Sequence, residues 1–391
     1  MTNVPDPAVY SSQSRTRSRT VDQDAGRLTV MIAFTGEGGV ENMIINLLRA
    51  FLAEGMVVDL LLLKEHGRHV TRIPEGINVI RLNAVTSLTA LPAVVRYLRA
   101  CQPCALLVAK DRASRIALLA RWIAGVNTRV VLRMGMHLSG SLATKSALRR
   151  WSRFLPVRWL YPWADRIVTV SEAVADDLAT ISGMPRERFT VIRNPSISDD
   201  LESRAKEPLS HPWLAQGERV PVILGVGRLT AQKDFETLLD AFAQLRARHQ
   251  VRLIILGEGP LRGSLERRAQ DLGISDDVDL AGFQLNPYAW MARASLFVLS
   301  SRFEGSPNVL VETMALGVPV VATDCPSGPR EILQDGRIAP LVPVGDSRAL
   351  AQAMTESLRH PPHSEALREA VSEYHATVSA RRYLDVLGCP L

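Results

Sequence analysis

Two carboxylates and a run of small residues mark the stretch of this sequence best equipped for chemistry, Ser301–Leu333, which reads SRFEGSPNVLVETMALGVPVVATDCPSGPREIL. Ser306 is suited to cap a helix, and Pro307 to open it at a position whose N–H would have no partner anyway. Val309, Leu310, Thr313 and Met314 follow at helical spacing, with Gly317 as the left-handed stop. Val318–Thr323 then reads as a short buried strand. The start of such a helix turns the backbone N–H groups of Asn308 and Val309, and the positive end of its dipole, toward an anion. Glu304 before the helix and Glu312 in its second turn are placed to accept hydrogen bonds from sugar hydroxyls. The same letters also describe a capped helix with two solvated acids, and this stretch alone does not choose between them.

The elements that must position these residues alternate. Leu28–Phe34, Val57–Leu63, Asn78–Leu82, Ala105–Ala109, Arg129–Met134 and Arg166–Val170 read as strands, with helical patterns between most of them. The first strand ends in Thr35-Gly36-Glu37-Gly38-Gly39, and the next helix buries Val40, Ile44, Leu47, Leu48 and Phe51. The alternation restarts at Val220–Val226, which runs into Gly227-Arg228-Leu229 and Lys233, with Asp234 suited to cap the following helix. Val251–Leu256 ends in Gly257-Glu258-Gly259, Val278–Ala281 ends in Gly282-Phe283, and Leu296–Leu299 leads into the opening stretch. Strand–helix alternation predicts parallel sheets covered on both faces, with ligands at the carboxyl ends of the strands. Two such halves in tandem predict an α/β protein of two Rossmann-like domains facing each other across a cleft. No GxGxxG follows the first strand, which argues against a nicotinamide dehydrogenase.

Composition sets the frame. At 391 residues, 47% hydrophobic and 22% charged, the chain can bury two cores and is not a disordered protein. A net charge of +6 does not by itself call for nucleic acid, and leaves room for anionic substrates or an anionic membrane surface. The four cysteines are too few and scattered for a disulfide framework; the Cys101-Gln-Pro-Cys104 pair precedes a strand, so reduced, structural thiols are expected. The expected domains are a basic disordered tail over 1–26, an N-terminal Rossmann-like domain over 27–197, a linker over 198–217, a C-terminal ligand-binding domain over 218–365, and a C-terminal helix over 366–391 packing back toward the first domain. The tail has no apolar core like that of a signal peptide, and no segment has a membrane span's length of apolar residues, so a cytoplasmic location is expected.

Lys145–Trp163 is unusual. Lys145, Arg149, Arg150, Arg153 and Arg158 interleave with Leu148, Trp151, Phe154, Leu155, Trp159, Leu160, Tyr161 and Trp163, and Pro156 is expected to interrupt the helix. The segment suits a membrane surface and suits equally a domain helix with an inward aromatic stripe.

The ordered set Gly227-Arg228-Leu229 with Lys233, Gly257-Glu258-Gly259, Gly282-Phe283, and Glu304 with seven residues before Glu312 resembles the retaining, nucleotide-sugar-dependent glycosyltransferases of family four, with the GT-B fold. Gly38-Gly39-Val40-Glu41-Asn42 and the stretch from Ala164 to Asn194-Pro195 are similar to that family's acceptor domain. The resemblance spans about Leu28 to Leu358 and implies transfer of a sugar from a nucleotide diphosphate, UDP foremost, to a glycan or lipid-linked acceptor in cell-surface polysaccharide synthesis. A catalytically silent nucleotide-sugar-binding scaffold is the alternative. By the same resemblance Arg228 and Lys233 stabilise the leaving diphosphate, Glu304 contacts the donor sugar, and Glu312 holds the ribose. Phe283 borders the base, and Gly227, Gly257, Gly259, Ser306, Asn308 and Val309 complete the donor site. It implies no cofactor and no metal, the cations replacing an ion's charge. Many relatives carry a histidine directly after the strand equivalent to Arg129–Met134; here His137 stands about two positions further on, reaching the donor from a rearranged loop or lying at the surface. Gly38, Gly39, Lys110, Asp111, Arg112 and Arg133 are the acceptor-side candidates, alternatively a charged loop. A peripheral contact with anionic membrane, at the cytoplasmic face of an inner membrane, completes the expectation; nucleic acid is not a partner.

Overall fold

The computed structural model describes residues 27–35, 39–66, 68–82, 84, 88–143, 145–215 and 220–389. The tail expected over 1–26 and the candidate Gly38 lie outside them. Thirteen strands form among the described residues: β1 Leu28–Thr35, β2 Val58–His66, β3 Asn78–Arg81, β4 Ala105–Ala109, β5 Arg129–Met134, β6 Arg166–Thr169, β7 Phe189–Val191, β8 Val222–Val226, β9 Arg252–Leu256, β10 Val278–Gly282, β11 Leu296–Leu299, β12 Val320–Thr323 and β13 Leu341–Val342. They build two sheets, in the orders β3-β2-β1-β4-β5-β6-β7 and β10-β9-β8-β11-β12-β13. Every pairing between these strands is parallel. The three-residue β7 and two-residue β13 are too short to carry a sequence pattern, and the sequence reading passes over both.

Each sheet reverses its order once, between β1 and β4 in the first and between β8 and β11 in the second. At such a point successive crossover helices pass to opposite faces, leaving the carboxyl ends of the two central strands uncovered. The two Rossmann-like sheets are the pair that defines the GT-B fold.

The chain divides into two compact units. The first comprises residues up to Gly135, Leu142–Pro195 and Ala376–Leu391; the second comprises Met136–Ser141 and Ser196–His375. The described part of the segment expected as a linker, residues 198–215, folds into the second unit. Leu201, Ala205 and Leu214 are buried there with Leu224, Trp290 and Met291, because the proline-bearing polar stretch still carries apolar residues at the spacing of a short helix. The second unit also runs beyond the expected residue 365, to His375, since Leu367, Val371 and Tyr374 belong to its core.

The last helix, Ala376–Leu387, lies in the core of the first unit, where Ala380, Tyr383, Leu384 and Leu387 pack with Phe34, Met43, Leu47 and Val131. It carries Cys389 to Cys104 at the start of β4, and the structure joins the two in a disulfide with a Cα–Cα separation of 6.3 Å. The expectation of four reduced thiols is corrected for this pair. Their separation in sequence is 285 residues, so only the tertiary fold brings them together. Among the described residues no helix is long and apolar enough to cross a membrane.

Leu384 is 2% exposed at the centre of that packing. Leu384→Ala should therefore destabilise the first unit by about 2–5 kcal/mol, read as a lower denaturation midpoint. A change below roughly 0.5 kcal/mol would place the helix outside the core.

Candidate active site

The carboxyl end of β8 opens into Gly227-Arg228-Leu229, and the carboxyl end of β11 into Ser300–Gly305, so both loops rise from the reversal point of the second sheet. Lys233 Nζ donates to Glu304 Oε1 at 2.6 Å, and Ser301 Oγ donates to the same oxygen at 2.7 Å. The two charged side chains are only 16% and 9% exposed, so the pair sits largely out of water. Breaking such a pair from one side leaves an uncompensated charge, at a cost of about 3–5 kcal/mol.

Backbone ties hold the pair in place. Ser300 Oγ donates to the Lys233 carbonyl at 2.8 Å, Arg302 N to the Gln232 carbonyl at 2.8 Å, and Gln232 Nε2 to the Phe303 carbonyl at 3.0 Å. Thr323 Oγ1, at the end of β12, donates to the Ser301 carbonyl at 2.6 Å. Asp234 adopts a left-handed φ of 50° and makes no side-chain cap; its carboxylate instead takes Arg302 at 3.0 Å and the Thr237 hydroxyl at 2.9 Å.

The glycines have a positioning role. A Cβ on Gly257, whose φ is +139°, would lie 1.9 Å from the Gly227 carbonyl oxygen, and one on Gly259 would lie 2.4 Å from the Leu229 carbonyl oxygen. The turn after β9 is thus packed directly under the loop after β8 and receives its hydrogen bonds, Leu229 N to the Glu258 carbonyl at 3.0 Å among them. Gly227 accommodates the lysine stem: a Cβ there would meet Lys233 Cε at 2.8 Å. Gly257 and Gly259 therefore shape the cation loop from beneath, by close backbone approach. Arg228 projects from that loop into solvent, and Phe283 is half-buried after β10.

The helix of the opening stretch runs over Asn308–Ala315. Its N-cap is Pro307, in an extended conformation, and not Ser306; no side chain caps it. The reason lies nearby. Ser327 Oγ and Gly328 N both donate to the Gly305 carbonyl, at 2.8 and 3.1 Å, and hold Gly305–Pro307 in a loop. Asn308 Oδ1 receives the Ser196 hydroxyl at 3.0 Å, and Val309 is half-buried in the first turn. Glu312, 4% exposed, accepts from Tyr288 Oη at 3.3 Å, and Arg204 lies over the Tyr288 ring at 4.5 Å. Neither glutamate is a solvated surface acid, which removes the bland alternative for this stretch. Tyr288 and Ser301 went unnoticed in the sequence, where no spacing links them to the carboxylates they hold.

His137 belongs to the segment Met136–Ser141 of the second unit. Its Nδ1 accepts from Gly140 N at 3.1 Å, so His137 caps the first turn of the short helix Leu138–Ser141.

The acceptor-side candidates of the first unit divide. Lys110 follows β4 with φ 76° and ψ 136°, and its Nζ is committed to Glu41 Oε1 at 2.6 Å and the Ala33 carbonyl at 2.7 Å. Asp111 is a structural hub, bound by Arg115 at 2.6 Å, Arg153 at 3.3 Å and Tyr161 Oη at 2.9 Å. Arg133 corrects its assignment: the side chain is 3% exposed and donates to Asn194 Oδ1 at 2.6 Å, so it braces β5 against the chain near Pro195 and does not line an open site. Burial holds its guanidinium below the ordinary value, offset in part by Tyr383. Gly135 makes room for it, since a Cβ there would meet the Arg133 guanidinium at 2.3 Å. Gly39 begins the helix Gly39–Ala53, and both Gly39 and Arg112 are exposed.

Two family models match the chain. Residues 38–195 match the glycosyl transferase 4-like domain, and residues 220–360 match the glycosyl transferases group 1. A Campylobacter jejuni protein named N-acetylgalactosamine-N,N'-diacetylbacillosaminyl-diphospho-undecaprenol 4-alpha-N-acetylgalactosaminyltransferase is 30% identical over 342 residues, covering 85% of this chain and 90% of that one. The alpha-D-kanosaminyltransferase of Streptomyces kanamyceticus is 28% identical over 56% of this chain and 59% of its own. Among solved structures, Anabaena HepE in complex with UDP and glucose superposes with a TM-score of 0.77 at 20% identity, covering 93% of this chain and 99% of that one. WaaG, a glycosyltransferase of lipopolysaccharide biosynthesis, gives 0.71 at 18% identity, covering 92% and 99%.

Cys325, 1% exposed, reports on the site. Burial, and then the charge of Glu304, pushes its thiol up to about 12. At about pH 8 iodoacetamide should leave Cys325 unmodified in the native protein and label it after unfolding, because the thiolate is the reactive form. Peptide mass spectrometry reads the difference, and prompt native labelling would mean that the pocket around Glu304 is open.

Proposed function

Because this chain belongs to the group 1 glycosyltransferases, with a glycosyl transferase 4-like N-terminal half, we propose that it is a retaining enzyme moving a sugar from a UDP-sugar to a lipid-linked glycan in cell-surface polysaccharide synthesis. The observation that carries this reading is the Lys233–Glu304 pair at the reversal point of the second sheet, with Arg228 exposed on the adjoining loop. The diphospho-undecaprenol acceptor in the name of the Campylobacter jejuni relative supports the acceptor class, and the HepE complexes support the nucleotide.

The chemistry follows from charge. As the bond from sugar to diphosphate stretches, negative charge builds on the leaving group and positive charge on the sugar. Around the leaving group Lys233 and Arg228 carry two positive charges against the one negative charge of Glu304, a net +1. Lys233 bridges a phosphate and Glu304, Arg228 offers a bidentate fork, and the N–H groups at Asn308 and Val309 add the helix dipole. Glu304 faces the developing oxocarbenium, while Glu312, steadied by Tyr288, accepts the ribose hydroxyls. Attack comes from the face that the diphosphate leaves, and a phosphate oxygen takes the acceptor's proton, which preserves configuration without a second nucleophile. The two cations make a divalent metal unnecessary in this scheme. An acceptor on a lipid carrier places the reaction at the cytoplasmic face of a membrane.

Incubation with a panel of radiolabelled nucleotide-sugars, in EDTA, should show hydrolysis of one UDP-sugar at a rate unaffected by the chelator. A protein that binds a nucleotide-sugar yet turns none over would be a silent scaffold, and activity restored only by magnesium or manganese would refute the metal-free scheme.

The two glutamates should separate kinetically. Glu312→Gln weakens a contact made equally in ground and transition states and should mainly raise the donor KM. Glu304→Gln removes a charge that matters most at the transition state and should lower kcat by the equivalent of about 2–4 kcal/mol. Donor titrations at saturating acceptor, with melts confirming folding, decide it; the reverse pattern exchanges the roles.

A further inference from the structure

Four of the six tryptophans are exposed, and all four lie in the first unit: Trp122, Trp151, Trp159 and Trp163, at 71%, 60%, 69% and 43%. The helix Ala147–Leu160 runs unbroken through Pro156, contrary to the sequence expectation, because Arg153 before the proline and Tyr161 after it both bind Asp111. Only Val157 of this helix is fully buried. At about 100° per residue, Leu148, Trp151, Leu155 and Trp159 form one stripe and Val157 lies opposite. Leu148, Trp151 and Trp159 of this stripe therefore face water, with Leu155 half-buried, while the inward aromatic contact of the segment is left to Phe154 and Tyr161. Trp163, just beyond the helix, pairs with Trp122 of the helix Asp111–Ala124 at a ring-centroid distance of 6.4 Å.

Charge identifies what covers this surface. The helix Ala147–Leu160 carries Arg149, Arg150, Arg153 and Arg158 and no acidic residue. The neighbouring acids are already matched, Asp111 by Arg115 and Arg153 and Asp165 by Arg121. By the same turn of the helix Arg158 is exposed beside the stripe, Arg149 and Arg150 are exposed further round it, and Lys145 precedes it. Tryptophans at such a boundary, leucines between them, Arg158 beside them and further exposed arginines round the same helix suit a headgroup layer. A second copy of the chain is a poor occupant, since a two-fold interface would set this cationic rim against itself.

We propose that this patch seats the first unit on an anionic phospholipid bilayer. The inference rests on the reading above for its purpose, delivery of a lipid-linked acceptor, but not for its chemistry. The full chain is sedimented with vesicles of phosphatidylcholine alone and of phosphatidylcholine with phosphatidylglycerol. It should pellet with the anionic vesicles and be largely released by high salt. Combined Leu148→Ser, Trp151→Ser and Trp159→Ser should lose about tenfold or more of that binding. Arg149→Gln and Arg158→Gln should each lose about fivefold. All these side chains are exposed, so the melting temperature should hold. Equal recovery in the supernatant with both vesicle types, or undiminished pelleting of the triple variant, overturns the proposal. So does a fall in the parent's solution mass on making the triple variant, which would mark the patch as an interface between copies. Donor hydrolysis in the same samples keeps the two readings apart: pelleting without hydrolysis leaves the surface standing and removes the enzyme, and hydrolysis without pelleting does the reverse.

Discussion

The ion pair between Lys233 and Glu304 is the constraint on which the second unit's site depends. Two charges removed from water are stable only when each is held by its partner and by further hydrogen bonds. Here the hydroxyl of Ser301 completes the carboxylate, and the strand ends of β8, β11 and β12 converge on the loops that carry the pair. Gly227 must lack a side chain because the lysine stem lies across it, and Gly257 and Gly259 must lack one because the backbone of Gly227–Leu229 lies across them. One electrostatic contact thus explains three glycines, the placement of a serine and the course of two loops.

The first unit carries a similar pair at its own reversal point with the partners exchanged. Lys110 stands after β4, the counterpart of β11, and is paired with a buried glutamate, Glu41, in the helix that follows β1. Its other bond, to the Ala33 carbonyl, ties it to β1, the other strand at the reversal. Uncovered strand ends in both sheets are therefore closed by a lysine–glutamate pair. In the second unit exposed Arg228 stands beside the pair, where an incoming anion can reach it. Arg133, which shares the first sheet, is instead consumed in bracing β5.

Surface and core are inverted in the helix Ala147–Leu160. A basic, aromatic-rich sequence usually folds its rings inward and its arginines outward, yet here one arginine is drawn inward to Asp111 and two tryptophans are left in water. The exposure is sustained because Val157, Arg153 and the adjacent Tyr161 anchor the opposite side. What the helix gives up in burial it offers as an interaction surface.

The sequence by itself determined the fold class and singled out the candidate residues of the second unit. Period-two and period-3.6 patterns of apolar residues are local, and glycines and charges at strand ends are local too, so β4, β5 and β11 fall where their patterns place them. Glu304, Glu312, Arg228 and Lys233 stood out as candidates for the same reason, but the roles expected of them came from the family resemblance. The tertiary structure decided everything that joins distant segments: the Lys233–Glu304 contact, the buried Arg133–Asn194 bond, the Cys104–Cys389 disulfide and the burial of Leu201, Ala205 and Leu214. It also decided which way the stripe of Ala147–Leu160 faces. Periodicity reveals that a helix has two faces, but only the atoms packed against it determine which one is turned to water.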